Sequence, residues 1–203
     1  MKKLFITPVG ILTICILIVS CTKDTVDTND TNNQLKNSIT YNNKIYYLNN
    51  GYLEYYGNIL GTGYNIDLIL ISSGLTPIIT NGQVDSIVGT GSGINFELFS
   101  SNTTALEVGD YTFDAGGSGS PGTFDYGNAI YNFNTVTGAG TTLDITGGKV
   151  TIKSNGSTYE LTFDCIAADG KSVTGYYKGS LNYYDVSGLL RSAKIVKLHK
   201  YKW

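Results

Sequence analysis

One histidine, three cysteines, three prolines and a charged fraction of only 15% leave this 203-residue chain poorly equipped for most catalytic chemistry. His199 stands near the end with no neighbouring carboxylate, so a Ser-His-Asp or Cys-His device has no base to work with. One histidine and one core cysteine do not make a zinc ligand set. Asp27, Asn29 and Asp30 begin like a calcium loop, but Asn32 stands where the EF-hand needs glycine and Ser38 where it needs glutamate. Gly89-Thr-Gly-Ser-Gly93 opens no helix and so cradles no phosphate. No metal and no cofactor is expected. Sustained helical periodicity is also missing, which points away from an α-rich fold. Acids outnumber bases between Lys23 and Asp185, for a net charge of −9, and an acidic body argues against nucleic-acid binding.

The one long apolar run lies at the start. Lys2 and Lys3 precede the 17 residues from Leu4 to Ser20, in the order of a secretory signal: charged region, apolar region, small residue at the cut. Ile18-Val19-Ser20-Cys21 resembles the lipobox of bacterial lipoproteins, in which an apolar pair and a small residue precede the lipidated cysteine. Cys15 follows bulky Ile14 and fits that pattern poorly. An uncleaved anchor is disfavoured because 17 residues is at the short edge of a span, Pro8 and Gly10 interrupt it, and no basic cluster follows. The expectation is residues 1–20 as signal peptide and lipid on Cys21. Diacylglycerol plus an acylated amine would hold the chain stably, where one acyl chain would be marginal. Thr22 stands where an inner-membrane retention aspartate would be, and Cys-Thr-Lys-Asp resembles the export signal of Bacteroidota surface lipoproteins. An outer-membrane location follows, with the periplasmic or the cell-surface face open. Cys165 is then left alone, without a disulfide partner.

Residues 21–37 are rich in Thr, Asp and Asn, and read as a flexible tether. Residues 38–186 have the composition of an all-β domain, abundant in Gly and Tyr with period-two alternation. Asn50-Gly51 predicts a hairpin pairing Leu48 with Leu53 and Tyr46 with Tyr55. Ile66 to Ile71 predicts a central strand, and Asn81-Gly82 a turn bringing Ile79 against Val84. Ile94, Phe96 and Leu98 alternate with Asn95 and Glu97, as on a strand covered on one face. Ala115 to Gly122 reads as a mobile loop, and Ala129, Tyr131 and Phe133 as one inward face. Asn155-Gly156 predicts Ile152 opposite Tyr159 and Val150 opposite Leu161. At Asp169-Gly170 a two-residue loop would set Leu161 opposite Lys178, so a three-residue loop with Gly170 at positive φ is predicted instead. That places Cys165 opposite Val173, Leu161 opposite Tyr177, and Phe163 and Tyr159 over Gly175 and Gly179. Cys165 becomes a small core residue. Residues 187–203 carry five basic side chains from Arg191 to Lys202 and read as a basic tail or a final edge strand.

Several segments taken together carry a resemblance: Tyr56-x-Asn58, Leu106-x-x-Gly-Asp-Tyr-Thr-Phe113, Gly148-Lys-Val-Thr-Ile152, Tyr159 to Asp164, and Gly170 to Gly179. They resemble a group of uncharacterised Bacteroidota cell-envelope lipoproteins over most of residues 40–184. The resemblance implies a single all-β domain on a lipid tether and supplies no activity and no site residues.

Function has to be sought in what remains. Tyr47, Tyr56, Tyr176 and Tyr184 fall opposite the core set and could form an aromatic surface for a glycan or protein partner. Glu54, Glu97 and Glu160 fall on outward faces, where solvation is expected, and only paired carboxylates could support a hydrolase. Asp24-Thr25-Val26 and Asp85-Ser86-Ile87 fit the Asp-Ser/Thr-aliphatic pattern of Bacteroidota O-glycosylation, which makes Thr25 and Ser86 candidate acceptors. The expected architecture is a single antiparallel meander of about eight to ten strands, closed as a barrel or flattened into a sandwich. The expected role is non-catalytic binding of a glycan or an envelope protein by a lipid-anchored domain. The alternatives are a lipocalin-like carrier of a small apolar ligand and a surface hydrolase.

Overall fold

The structure is a computed structural model that describes residues 35–190 apart from 59 and 61. It contains β1 (Ser38–Tyr41), β2 (Lys44–Tyr47), β3 (Asn50–Gly57), β4 (Tyr64–Ile71), β5 (Leu75–Thr80) and β6 (Gln83–Ser100). There follow β7 (Gly109–Phe113), β8 (Thr123–Asn134), β9 (Thr141–Ser154), β10 (Tyr159–Ala167), β11 (Ser172–Gly179), β12 (Asn182–Asp185) and one helical turn, α1 (Ser187–Leu190). The all-β expectation holds, with twelve strands rather than eight to ten, in one half-barrel sheet. The meander does not hold. Strand order is β12-β3-β4-β6-β8-β7-β9-β10-β11-β1-β2, with β5 paired to β6, and both β12–β3 and β7–β8 are parallel.

The departure begins at the first turn. Asn42 and Asn43, at φ 50° and 61°, make the turn between β1 and β2, because asparagine tolerates positive φ better than any other residue with a side chain. Asn50-Gly51 therefore makes no hairpin and instead opens β3, which pairs with β4. Gly51 gives room there to the Leu181 side chain, since a Cβ would lie 2.2 Å from Leu181 Cδ2. Asn37, assigned to the tether, is docked. Its Nδ2 donates to the Lys178 carbonyl, its Oδ1 accepts from Lys178 N–H, and its carbonyl accepts from Leu48 N–H. Asn49 N–H, two residues beyond β2, donates to the Ile71 carbonyl of β4, so the run 44–57 serves both ends of the sheet.

The C-terminal hairpin follows its sequence closely. Gly170 has φ 79°, and Cys165 faces Val173, Leu161 faces Tyr177, and Phe163 faces Gly175. A Cβ on Gly175 would meet the Phe163 ring at 2.0 Å, the aromatic cover expected of a strand glycine. Gly179 is approached by Tyr177 rather than by Tyr159, although Tyr159 is its register partner. The preceding hairpin is offset. A register shift at Glu160/Leu161 sets Ile152 opposite Leu161 and Val150 opposite Phe163, because the loop spends four residues, not two, between Ser154 and Tyr159. Asn132, at φ 48°, interrupts β8, so Phe133 leaves the inward face of Ala129 and Tyr131 and packs on the opposite side. The Ala115–Gly122 loop is tied down. Asp114 accepts from Gly116 N–H, Ser118 N–H and Ser118 Oγ, while Thr62 Oγ1 donates to the carbonyls of Ser118 and Gly119.

Two apolar clusters result. The main one fills the concave side, where Phe96 meets Phe124 at 5.5 Å and Phe163 at 5.6 Å, centroid to centroid. Cys165 is fully buried in it, and burial pushes its thiol up to about 12. The second lies on the convex side, where Leu75, Val84 and Ile87 of the β5–β6 hairpin cover Tyr52, Ile69, Ile71 and Ile130. The hairpin turns at Asn81-Gly82, with Ile79 opposite Val84 as its sequence predicts. This second layer makes β4 buried on both faces and positions the site.

Candidate functional site: a carboxylate row on the convex face

Strand alternation puts Leu53, Leu68 and Phe96 on the concave face, and therefore turns their neighbours Glu54, Asp67 and Glu97 to the convex one. Register then lines these up. Glu54 pairs with Asp67, Asp67 with Glu97, and Glu97 with Tyr126, one residue from each of four adjacent strands. Opposed side chains on adjacent strands stand about 5 Å apart, so the carboxylates form a ladder across the sheet. The shift at Glu97/Leu98 adds Asp125 beside Tyr126, and Asp125 acts electrostatically on both Glu97 and Asp67. The row on one side carries Ile69, Asn95 and Asn128, and Asn65 lies on the other.

This overturns the expectation of solvation for Glu54 and Glu97. Glu54 is 0% exposed and Asp67 5% exposed, because the β5–β6 hairpin closes over that end of the row. Val84 N–H donates to Glu54 Oε1 at 2.5 Å, and Tyr56 OH donates to Glu54 Oε2 at 3.2 Å. Glu97 is half-buried, and its Oε1 accepts from Asn65 Nδ2 at 2.7 Å. Tyr126 and Asp125 are half-buried too, while Asp144, which accepts from Asn128 Nδ2, is exposed. The row thus runs from a covered end at β3 and β4 to an open end at β8. Glu160 alone of the three glutamates behaves as expected, pairing with Lys178 at 2.9 Å near the surface.

Two ionised carboxylates about 5 Å apart repel by about 3 kcal/mol at an effective dielectric near 20, and burial adds its own penalty. The protonation states reflect both. Burial raises Glu54 to about 7, against the opposing pull of the Val84 N–H and the Tyr56 hydroxyl. Burial and then the charge of Asp125 raise Glu97 to about 7, opposed by Asn65. Asp67 is pushed well above the carboxylate range by burial, then by Glu97, Glu54 and Asp125. Asp125 is raised by burial first. Tyr126 is raised to about 12 by burial and by Asp144, Asp67 and Glu97. The ion pairs among the described residues lie elsewhere, Lys149–Asp110, Lys171–Asp169 and Lys178–Glu160, so the row is not neutralised by them.

Besides Tyr131 OH on the concave side, the buried polar atoms without a partner among the described residues lie on this row. Asn65 Oδ1, Asp67 Oδ1, Asn95 Oδ1 and Asp125 Oδ1 are buried without a donor, and each is an acceptor. Asn65 and Asn95 are 0% and 1% exposed, so these amide oxygens are as enclosed as any group in the core. Among the described residues no three His, Cys, Asp or Glu side chains are placed to hold a metal ion. That follows from a ladder spread along strands, in which carboxylates stand side by side instead of converging on a centre.

The four tyrosines singled out by alternation separate into two pairs. Tyr47 and Tyr176 both lie opposite Ser38 on β1, one on each side, with Tyr47 53% exposed and Lys153 Nζ 6.0 Å from the Tyr176 ring. Tyr56 and Tyr184 belong with the carboxylate row. Tyr184 is the register partner of Glu54 on β12 and packs against the convex cluster, while Tyr56 donates to Glu54. Ser86 is half-buried on the β5–β6 hairpin, opposite Ile78. Cys21, Thr25 and the segment beyond residue 190 lie outside the described residues. Sequence alone missed Asp67 altogether as a site residue, although an acid inside Ile66–Ile71 was its visible signal. Asn65, Asn95 and Asp125 carried no signal of their own. Comparison with protein-family models, with curated proteins and with solved structures finds no match for this chain.

Proposed function

We propose that this chain is a lipid-anchored lipoprotein of the cell envelope, outer-membrane in location, whose β domain binds a glycan without catalysis. The observation that carries the binding reading is the open end of the row, where Glu97, Asp125 and Tyr126 stand half-buried and Asp125 Oδ1 has no donor. A buried polar atom left unpaired costs about 1–3 kcal/mol, so a ligand rich in hydroxyl donors gains what the free protein forgoes. Tyr126 and Tyr56, beside the row, add flat apolar area of the kind a sugar ring stacks on. The non-catalytic reading is supported by burial. A hydrolase must admit a glycosidic bond between its two carboxyls, and Glu54 and Asp67 lie beneath the hairpin backbone. A small apolar cargo in a barrel finds less support, since Phe96, Phe124 and Phe163 fill the concave side.

A glycan array probed with the full chain and with Tyr126→Ala tests the binding site. Binding that the variant loses supports the row, and equal binding by both moves the site elsewhere. Intact-mass analysis of membrane-extracted protein tests the anchor, with Cys21 expected as the acylated first residue. An unmodified Met1 terminus would refute it.

A further inference from the structure

We infer that the glycan bound at the carboxylate row carries a free amine: the row is built for the ammonium group of an amino sugar. The inference rests on the glycan reading above and narrows it to a charge class. Three observations carry it. First, the unpartnered atoms on the row are amide and carboxyl oxygens, of Asn65, Asn95, Asp67 and Asp125, and the row faces no lysine or arginine in the ion pairs described. A neutral sugar brings donors but leaves the charge uncompensated, whereas an ammonium brings three donors and a positive charge together. Second, the spacing suits an ammonium better than a metal. N–H···O contacts of about 2.8 Å at the tetrahedral angle place two acceptors about 4.6 Å apart. Adjacent strands present side chains at about 4.8 Å, so the rungs of a ladder can each accept one N–H. A calcium ion instead needs six to eight oxygens gathered within about 2.6 Å, and no such gathering of carboxylates occurs among the described residues. Third, access is graded. Glu54 and Asp67 are enclosed, whereas Glu97, Asp125 and Tyr126 are half-buried at the open end. Gly117, at φ 63° in the tied loop, has no side chain where a Cβ would come within 3.4 Å of Asp125 Oδ2. The ammonium therefore docks at Glu97 and Asp125, the half-buried acids of the open end, where Asp125 Oδ1 has no donor and Asn65 Nδ2 holds the Glu97 carboxyl in place.

The test is calorimetric titration of the full chain in detergent at pH 7.5 with a glucosamine tetramer, its N-acetylated counterpart and a neutral glucose tetramer. The glucosamine oligomer is expected to bind at least tenfold more tightly than either of the others, and more weakly as salt rises. Glu97→Gln and Asp125→Asn should each weaken it at least tenfold. Neither isostere should lower the denaturation midpoint, because each removes a charge from a crowded row. Equal binding of all three oligomers, or preference for a neutral one, overturns the amine inference and leaves the glycan reading standing. Unchanged affinity in both variants overturns the site. Equal affinity for a simple diamine removes the sugar from the inference, and failure of every oligomer to bind at millimolar concentration counts against both readings.

Discussion

Replacing Glu54 with glutamine separates the cost of a buried charge from the packing of the side chain that bears it. Glutamine keeps an oxygen to accept Val84 N–H and places an amide where Tyr56 OH now donates, a geometry the hydroxyl can meet by accepting instead. The folded state holds the Glu54 proton up to about pH 7, against 4.5 for the free group. The native state thus binds more protons than the unfolded chain over that interval, and stability falls with rising pH. The contribution of neutral Glu54 is complete below about pH 4.5, declines above it, and is gone once the pH has passed about 7. At about 1.4 kcal/mol per pH unit, the whole loss is about 3 kcal/mol. Urea denaturation of the wild type and Glu54→Gln should therefore give nearly coincident midpoints at pH 4.5. By pH 8.5 the variant should be the more stable by about 2–3 kcal/mol, a midpoint shift of about 1–2 M for a typical urea dependence. A constant offset between the two proteins at both pH values would refute the reasoning, since only an ionisation can make the gap grow. Tyr56 and Asp67 both feel the Glu54 charge, so the variant should also bring Asp67 down toward the ordinary carboxylate range.

Gly175→Ala should destabilise at the upper end of the overpacking range, about 3 kcal/mol, because its Cβ would meet both the Phe163 ring and, at 2.6 Å, the Ser38 carbonyl. Adding Phe163→Leu should rescue only part of the loss in the denaturation midpoint, since the backbone clash remains. Gly170→Val should cost about 1–3 kcal/mol through positive φ alone, as no atom lies within 4 Å of the new Cβ, and Gly170→Asn should cost less. Equal midpoints for those two variants would mean that the loop has changed geometry. Cys165 should react with an alkylating reagent only on unfolding, and rapid labelling of the native chain would contradict its place in the core.

The legible parts of this fold are those in which one turn and its two flanking strands decide the answer together. At Asp169-Gly170 only one loop length aligned both apolar faces, and the whole register of β10 and β11 followed from it. At Asn50-Gly51 the same kind of signal misled, because a competing pair, Asn42-Asn43, had already turned the chain. Gly51 instead lies against Leu181, in the link between β11 and β12, a neighbour about 130 residues away that no local pattern announces. The order β4-β6-β8 is of the same kind, since its register depends on the β5–β6 hairpin folding back over the sheet.

That hairpin is also why the carboxylate row is covered where alternation alone predicts solvation. Alternation tells which side chains share a face, and Glu54 and Glu97 do lie opposite the main core. It does not tell whether the opposite face meets water or a second layer. The sequence holds one clue to the second layer, and it is Asp67. Ile69 and Ile71 lie on the same face as Asp67 and are fully buried, so whatever covers them extends toward the acid as well. An acid on a covered face must find donors, share a proton or be neutralised by something from outside the chain. Here burial raises the whole row, four acceptor oxygens go without donors, and the described ion pairs are made elsewhere. A stability argument alone would replace these residues with apolar ones of similar size. The reason for acids in register across three strands, with Asp125 beside them on β8, therefore has to be sought in what approaches the open end at β8.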